Sequence, residues 1–219
     1  MAVFILSRQN LKFTCRSEAG RLLADEIAKR SAEPVSVVLG IPRGGVVIAS
    51  EIARTLGSAV DIVLSRKLRV PWQPELAFGA ISEDGGVILN HSVIENTGLS
   101  QPVIDQEIAV QTGGIENQKT MFRQHNRKST LSDKTVVITD DGVATGATFK
   151  AALATVRAES PKTVIAALPV APENTLRSID SLADLVICLN CPPDFSAVSQ
   201  YYQDFSEVTN EEVIARLVD

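Results

Sequence analysis

The sequence predicts an α/β protein in which helices cover both faces of a parallel sheet. Short, almost continuously apolar runs such as residues 35–41 are typical of strands that are buried on both faces. Segments with apolar residues at helical spacing, such as residues 16–30, separate these runs. Because strands and helices alternate along the chain, we expect right-handed crossovers within one sheet.

Each expected element has a local signal in the sequence. In the first helix, residues 16–30, the apolar side chains of Leu22, Leu23 and Ile27 recur at helical spacing. The second helix, residues 44–57, ends at a glycine, the usual left-handed terminator. The remaining helices are expected at residues 102–128, 148–159 and near 175–182, and the remaining strands at residues 59–65, 136–139, 163–170 and 183–189.

Two stretches depart from this alternation. The stretch that follows residue 65 has two prolines, three basic residues and little alternation to hold it in a sheet, so we expect a flexible flap over roughly residues 66–90. Two short apolar runs joined by Glu-Asp-Gly predict a hairpin within residues 76–90. The adjacent glycines Gly113 and Gly114 are expected to weaken the long helix that contains them.

Length and composition favour a single domain over residues 1–219. Its core is expected at roughly residues 34–190, and the terminal segments, roughly residues 1–20 and 191–219, are expected to form a small hood. The net charge of −5 argues against a nucleic-acid partner, and no run approaches the roughly 18 apolar residues of a membrane helix. The start of the chain lacks the features of a signal peptide, and the three cysteines have no disulfide spacing, so we expect a cytoplasmic protein.

The strand at residues 136–139 leads into a loop that could hold a phosphate. In open parallel sheets, ligands bind at the carboxyl ends of the strands. Glycine and alanine let backbone N–H groups approach a ligand, threonines add hydroxyl donors, and the following helix adds its positive end. The expected phosphate loop comprises Gly142, Val143, Ala144, Thr145, Gly146, Ala147 and Thr148.

Two adjacent acids stand between this strand and the loop. The carboxylates of Asp140 and Asp141 only accept hydrogen bonds and would repel a phosphate, so they must serve another part of the same ligand. Vicinal sugar hydroxyls or a hydrated Mg²⁺ fit that role. A phosphate next to a diol suggests a ribose 5-phosphate, and the missing lysine excludes a P-loop.

These residues resemble a known signature. The run "VVITDDGVATGAT" is similar to the 5-phosphoribosyl-1-pyrophosphate (PRPP) motif of type I phosphoribosyltransferases. Over nearly the whole chain, the sequence resembles one branch of that superfamily, the predicted phosphoribosyltransferases of unassigned acceptor that also occur fused to hydrolase domains. The segments that carry this resemblance are "VVLGIPRGGVVIASEIA", "RKLRVPWQPELAFGAISEDG", "ALPVAP" and "PPDFSAVSQYYQDFSEVTNEEV". The resemblance implies a Rossmann-like sheet with a hood or flap built from the terminal segments and a hairpin.

The resemblance also implies roles for the acidic pair and the phosphate loop. Asp140 and Asp141 match the pair that contacts the ribose 2- and 3-hydroxyls, and they would hold Mg²⁺ through water and PRPP. Residues 142–148 match the loop that binds the 5-phosphate. Ala144 stands where hypoxanthine-guanine enzymes place an aspartate that approaches the purine, which makes an oxopurine acceptor less favoured.

A second set of residues is implied to hold the pyrophosphate. Arg43, Gly44 and Gly45 match the loop after the first strand of the predicted core, and Arg66 and Lys67 match a basic pair after the second. Arg43 and Lys67, together with Mg²⁺, would stabilise the charge that develops on the departing pyrophosphate, which makes them the expected catalytic residues.

The resemblance therefore implies a Mg²⁺-dependent enzyme of the pentosyl glycosyltransferase class. It would transfer the 5-phosphoribosyl group from PRPP to a nitrogenous base in nucleotide salvage, and we expect a homodimer. Its general base stays open, with Glu75 of the flap as one candidate. The alternative is a regulatory protein of the same fold that binds PRPP or a nucleotide without turnover.

Overall fold

A six-stranded sheet forms the centre of the protein in the computed structural model, which describes residues 2–124 and 126–218. The strands are β1 (Ala2–Ser7), β2 (Val37–Gly40), β3 (Ala59–Ile62), β4 (Ser65–Val70), β5 (Gln73–Ser82), β6 (Val87–Leu89), β7 (Thr135–Thr139), β8 (Thr163–Val170) and β9 (Leu185–Asn190). The central sheet has the order β1-β9-β8-β7-β2-β3, and all its neighbouring strands run parallel. The predicted α/β class with a parallel sheet is therefore confirmed.

Helices cover both faces of this sheet. They are α1 (Arg16–Arg30), α2 (Gly44–Leu56), α3 (His91–Thr97), α4 (Gln101–Arg123), α5 (Ala147–Ala158), α6 (Glu173–Asp180) and α7 (Asn210–Val218). Successive residues of a strand point to opposite faces, and β7 follows this rule. Val136 and Ile138 pack in one core with Phe149 of α5, whereas Val137 packs in the other with Ile27 of α1.

The flap is a small sheet, and the expectation that its sequence could not be held in one is wrong. β4 pairs antiparallel with β5, and β5 pairs with β6 in the predicted hairpin. Leu68, Val70 and Phe78 are buried together with residues from the start of α4, so a short alternating pattern does anchor these strands. At the tip of the flap, between two prolines, Trp72 is 61% exposed.

The amino-terminal segment is divided between two places. We expected roughly residues 1–20 in the hood, but β1 instead pairs with β9 as the outer strand of the central sheet. This pairing covers backbone groups of β9 that would otherwise form an open sheet edge. Phe13 does meet the carboxy-terminal segment, where it bridges to Tyr202 beside the acidic pair. The terminal positions 1 and 219 of the predicted hood lie outside the described residues.

A buried ionic network fixes the end of α4. The Arg123 guanidinium donates to Asp61 Oδ1 at 2.5 Å and to both carboxylate oxygens of Glu83 at 2.6 and 2.7 Å. It also donates to the carbonyl oxygen of Ile62 at 3.1 Å. The network connects α4 to the end of β3 and to the turn after β5, so it holds the flap sheet and the central sheet together.

The long helix α4 is continuous through Gly113 and Gly114, so the expected weakening does not break it. Within residues 2–124 and 126–218, none of the helices has both the length and the apolar character that crossing a membrane requires.

Candidate active site

The loops that follow β2 and β7 lie against each other. In the parallel pairing of these strands, Gly40 is opposite Thr139, so both loops begin at the same edge of the sheet. A Cβ atom at Gly45 would stand 2.9 Å from the Cα atom of Asp140, and one at Gly44 would overlap Asp141 Oδ2. Glycine is therefore required at both positions for this approach. The structure thus brings together the two segments that we predicted for the ribose and the pyrophosphate.

Arg43 stands at the start of α2, next to the acidic pair. The peptide bond between Pro42 and Arg43 is cis. The Arg43 side chain forms an ion pair with Glu207 of the carboxy-terminal segment, and both side chains are largely exposed. A ligand anion could compete with this carboxylate for the guanidinium.

The acidic pair is held by residues that sequence analysis missed. Arg16 Nε donates to Asp141 Oδ2 at 2.8 Å, and the Tyr202 hydroxyl donates to the carbonyl oxygen of Asp141 at 2.6 Å. The backbone N–H of Asp141 donates to Asp140 Oδ1 at 2.9 Å. Arg16 begins a helix far from this loop in sequence, and no local pattern distinguishes it from other helix-surface cations.

The surroundings of the acidic pair disfavour its negative charge. Desolvation raises the pKa of Asp140 well above its usual value, and the charge of Asp141 raises it further. Desolvation also raises the pKa of Asp141, although the hydrogen bond and charge of Arg16 act in the opposite direction. Donor hydroxyls or a cation from a ligand would offset this unfavourable charge, which suits a site for ribose or Mg²⁺.

The predicted phosphate loop joins β7 to α5 as expected. Val143 is buried, and its N–H donates to the carbonyl oxygen of Val170 at 3.0 Å, which fixes the loop against β8. Gly146 adopts the left-handed conformation, with φ of 78°, directly before α5. Thr145 and Thr148 are exposed at this helix start, where they could donate to a phosphate together with backbone N–H groups.

A basic pocket of about 180 Å³ joins the remaining predicted residues. Arg66 and Lys67 of β4 contribute to its wall, as do Pro42 from the loop after β2 and Thr148 from the start of α5. Lys67 Nζ lies 3.7 Å from Glu75 Oε2, across the flap. The pocket therefore adjoins both the expected pyrophosphate loop and the expected phosphate loop.

The side chain of Arg66 packs against helix α4 at Gly114. A Cβ atom at Gly114 would lie 2.6 Å from Arg66 Cζ, so the guanidinium packs directly on the helix backbone. The guanidinium also donates to Gln111 Oε1 at 3.3 Å. The sequence predicts a weak point of the helix at Gly114, whereas in the structure its lack of a side chain makes room for Arg66.

The described residues do not form a complete metal site by themselves. Among the residues that the structure describes, no three histidine, cysteine, aspartate or glutamate side chains are grouped so that they could hold a metal ion. The two carboxylates of Asp140 and Asp141 are oxygen ligands of the kind that Mg²⁺ prefers. Magnesium is commonly bound by one or two carboxylates together with substrate phosphates, so the residues present fit an ion that arrives with its ligand.

Comparison with known proteins gives a consistent result. The model of a family described as the phosphoribosyl transferase domain matches residues 14–206. The chain is also 42% identical over 205 residues to a Mycobacterium tuberculosis protein, found in strains H37Rv and CDC 1551, which is named as a provisional phosphoribosyl transferase. That match covers 94% of this chain and 46% of the relative, so the chain spans about half the length of the curated relatives it matches.

Two solved structures show the same fold. The crystal structure of TT1426 from Thermus thermophilus superposes with a TM-score of 0.90 at 41% sequence identity, and covers 95% of this chain and 98% of that one. The AQ2163 protein from Aquifex aeolicus superposes with a TM-score of 0.50 at 16% identity, over 87% of this chain and 86% of that one. The second similarity concerns the fold alone.

Proposed function

The chain belongs to the phosphoribosyl transferase family, and on this basis we propose that it transfers the 5-phosphoribosyl group of PRPP to a nitrogenous base with release of pyrophosphate. The observation that carries the proposal is the contact between two loops. Gly44 and Gly45 lie directly against Asp140 and Asp141 at the carboxyl ends of adjacent parallel strands. A ligand that is anionic at one end and rich in hydroxyls in the middle fits this arrangement.

Three groups of residues would bind three parts of PRPP. The ribose hydroxyls would donate to Asp140 and Asp141. The 5-phosphate would accept hydrogen bonds from the loop at residues 142–148 and from the start of α5. The pyrophosphate would be bound by Arg43, Gly44, Gly45, Arg66 and Lys67, the last two at the basic pocket.

Transfer breaks the bond from ribose C1 to the pyrophosphate oxygen and forms a bond from C1 to the acceptor nitrogen, which supplies the electron pair and releases its proton to solvent. The pyrophosphate leaves with the bonding electron pair, and Arg43 and Lys67 would stabilise the charge that it gains. The ribose becomes electron-poor in the same step, and the carboxylates of Asp140 and Asp141 would favour its partial positive charge. Asp140 and Asp141 would also hold Mg²⁺ through water and PRPP, and this ion would supply further positive charge beside the phosphates.

A screen of nitrogenous bases with PRPP and Mg²⁺ tests the proposal, with pyrophosphate release as the readout. We expect at least one base to support release by the unaltered protein, and the Lys67→Ala variant to be slower by about a hundredfold. Arg54→Ala is a suitable control because Arg54 lies on the exposed side of α2 and pairs only with Glu51 among the described residues. Binding of PRPP without turnover by any base would contradict transfer and would favour the regulatory alternative.

A further inference from the structure

We propose that Arg16 is a positioning residue of the ribose site, which acts by holding Asp141 and the carboxy-terminal segment in place. The inference rests on the proposed function, because it concerns how the acidic pair is presented to PRPP. Arg16 would not contact the reacting atoms itself.

One buried guanidinium joins two distant parts of the chain. The Arg16 side chain is 10% exposed and stands at the start of α1. Its Nε donates to Asp141 Oδ2 at 2.8 Å, and its Nη1 donates to the carbonyl oxygen of Ser206 at 2.8 Å. Arg16 therefore binds the acidic pair on one side and the carboxy-terminal segment on the other.

Two aromatic side chains lie beside this guanidinium. Its Cζ atom lies 3.8 Å from the ring centre of Phe205 and 6.0 Å from that of Tyr202. The Tyr202 hydroxyl in turn donates to the carbonyl oxygen of Asp141 at 2.6 Å. A lysine could replace the charge of Arg16 but neither its planar stacking nor its two divergent donors.

The position of Arg16 connects it to the expected pyrophosphate loop as well. A Cβ atom at Gly44 would overlap Asp141 Oδ2 and stand 3.0 Å from Arg16 Nε, so Gly44 makes room for this ion pair. Glu207, the residue after Ser206, forms the ion pair with Arg43. Because Arg16 holds Asp141 Oδ2, the carboxylate of Asp141 would meet the ribose in a fixed orientation.

If the ion pair between Arg16 and Asp141 were purely structural, its loss would lower stability without changing the affinity of the folded protein for PRPP. Loss of either partner of a buried pair destabilises a protein whether or not the pair serves a ligand. The decisive quantity is therefore the affinity for PRPP of variants that remain folded, and not their stability.

The test is a double-mutant cycle by titration calorimetry with PRPP and Mg²⁺, with folding checked by far-ultraviolet circular dichroism. We expect Arg16→Met and Asp141→Ala each to weaken PRPP binding about tenfold or more, and the double variant to bind no more weakly than the weaker-binding single variant. Arg16→Met combined with Asp140→Asn should show a smaller coupling, because Arg16 donates a hydrogen bond to Asp141 but acts on Asp140 only through its charge. The control is Arg21→Met, on the exposed side of the same helix, which should change the affinity by less than about twofold.

Four outcomes would overturn the inference. A folded Arg16→Met variant with the affinity of the unaltered protein would make Arg16 structural only, and so would losses that multiply with those of Asp141→Ala. If Arg16→Met does not fold, Arg16→Lys decides: an intermediate loss of affinity supports positioning, whereas unchanged affinity contradicts it. If the unaltered protein binds no PRPP, the proposed function fails together with the inference; normal binding with an unaffected Arg16→Met overturns the inference alone.

Discussion

The adjacent glycines Gly113 and Gly114 of α4 have different surroundings. A Cβ atom at Gly113 would meet no other atom within 4 Å, whereas one at Gly114 would overlap the Arg66 guanidinium. We expect Gly113→Ala to raise the free energy of unfolding by about 1 kcal/mol, because alanine is the better helix former. Gly114→Ala should displace Arg66 and weaken pyrophosphate binding. Urea unfolding and calorimetric titration with pyrophosphate measure the two effects.

The two alanine variants control for each other, because they change the same helix by the same methyl group. Equal pyrophosphate affinity in both variants would mean that Arg66 does not depend on its packing against α4.

Asp140 is expected to make stability depend on pH. Its pKa in the folded protein is raised, so the folded state keeps this proton to a higher pH than the unfolded chain does. The contribution of Asp140 is thus most favourable below the usual carboxyl pKa of about 3.9 and is lost as the pH rises through the raised value. The Asp140→Asn variant has no carboxyl group to ionise at this position, so it should not lose this stability as the pH rises. It should therefore be more stable than the unaltered protein at neutral pH and similar to it in acid.

Thermal unfolding of both proteins across the acid to neutral range tests this expectation. Equal melting temperatures at neutral pH would indicate that the charge of Asp140 does not destabilise the folded protein. A gain in stability together with a loss of PRPP binding would identify Asp140 as a residue retained for binding at the expense of stability.

The role of a single residue could be predicted from the sequence where the residues that act together are also adjacent in sequence. The acids and small residues that follow β7 are adjacent in sequence, so their shared chemistry could be inferred before the fold was known. Arg16 and Gly114 act through side chains far away in sequence, Asp141 and Arg66 respectively, and no short pattern encodes such contacts. The roles of the predicted site residues stay predictions, although the structure brings their loops together.

At the scale of elements, the flap was the part that sequence reasoning described least well. Its strands β4 and β5 contain basic residues and a proline. The alternating apolar residues Leu68 and Val70 were therefore not recognised as a strand pattern. These apolar residues are buried in a cluster that includes residues of α4, and this packing depends on tertiary structure. The elements with a full apolar run or a clear helical period were found close to their observed bounds, as for α1 at Arg16–Arg30.

Lys67 of β4 allows a test of how the flap acts in catalysis. Its charge lies at the basic pocket, where the departing pyrophosphate would become more negative as the bond to C1 breaks. We expect Lys67→Ala to lower kcat much more than it raises KM for PRPP. Steady-state kinetics with varied PRPP measures both constants, and Lys29→Ala, an exposed change on α1, is the control.

A raised KM with unchanged kcat would contradict this expectation. It would mean that Lys67 anchors the substrate equally in the ground state and in the transition state.

The buried network around Arg123 should contribute much of the stability with which α4 is held against the central sheet and the flap sheet. Arg123→Met would leave the carboxylates of Asp61 and Glu83 buried without their common cation. We expect a loss of about 3 kcal/mol in the free energy of unfolding, measured by urea denaturation. Arg54→Met, which removes an exposed ion pair with Glu51, should cost less than about 1 kcal/mol. Equal losses in the two variants would show that burial adds nothing to the Arg123 network.

For the whole molecule, the alternation of strands and helices was sufficient to predict the architecture. The fold class is confirmed, whereas β1 was missed because its residues read as a terminal appendage. An edge strand has a partner on one side only, and β1 is largely exposed, so its sequence lacks the signal of a strand that is buried on both faces. The homodimer stays a prediction.

The affinity of the acidic pair for PRPP tests the proposed function most directly. Calorimetric titration with PRPP and Mg²⁺ would compare the unaltered protein with the double variant Asp140→Asn, Asp141→Asn. Because each carboxylate would accept a charge-assisted hydrogen bond from a ribose hydroxyl, we expect the double variant to bind PRPP about a hundredfold more weakly or worse. It should stay folded, since an asparagine oxygen at position 141 can still accept from Arg16. Unchanged PRPP affinity in the folded double variant would contradict the assignment of this site to the ribose of PRPP.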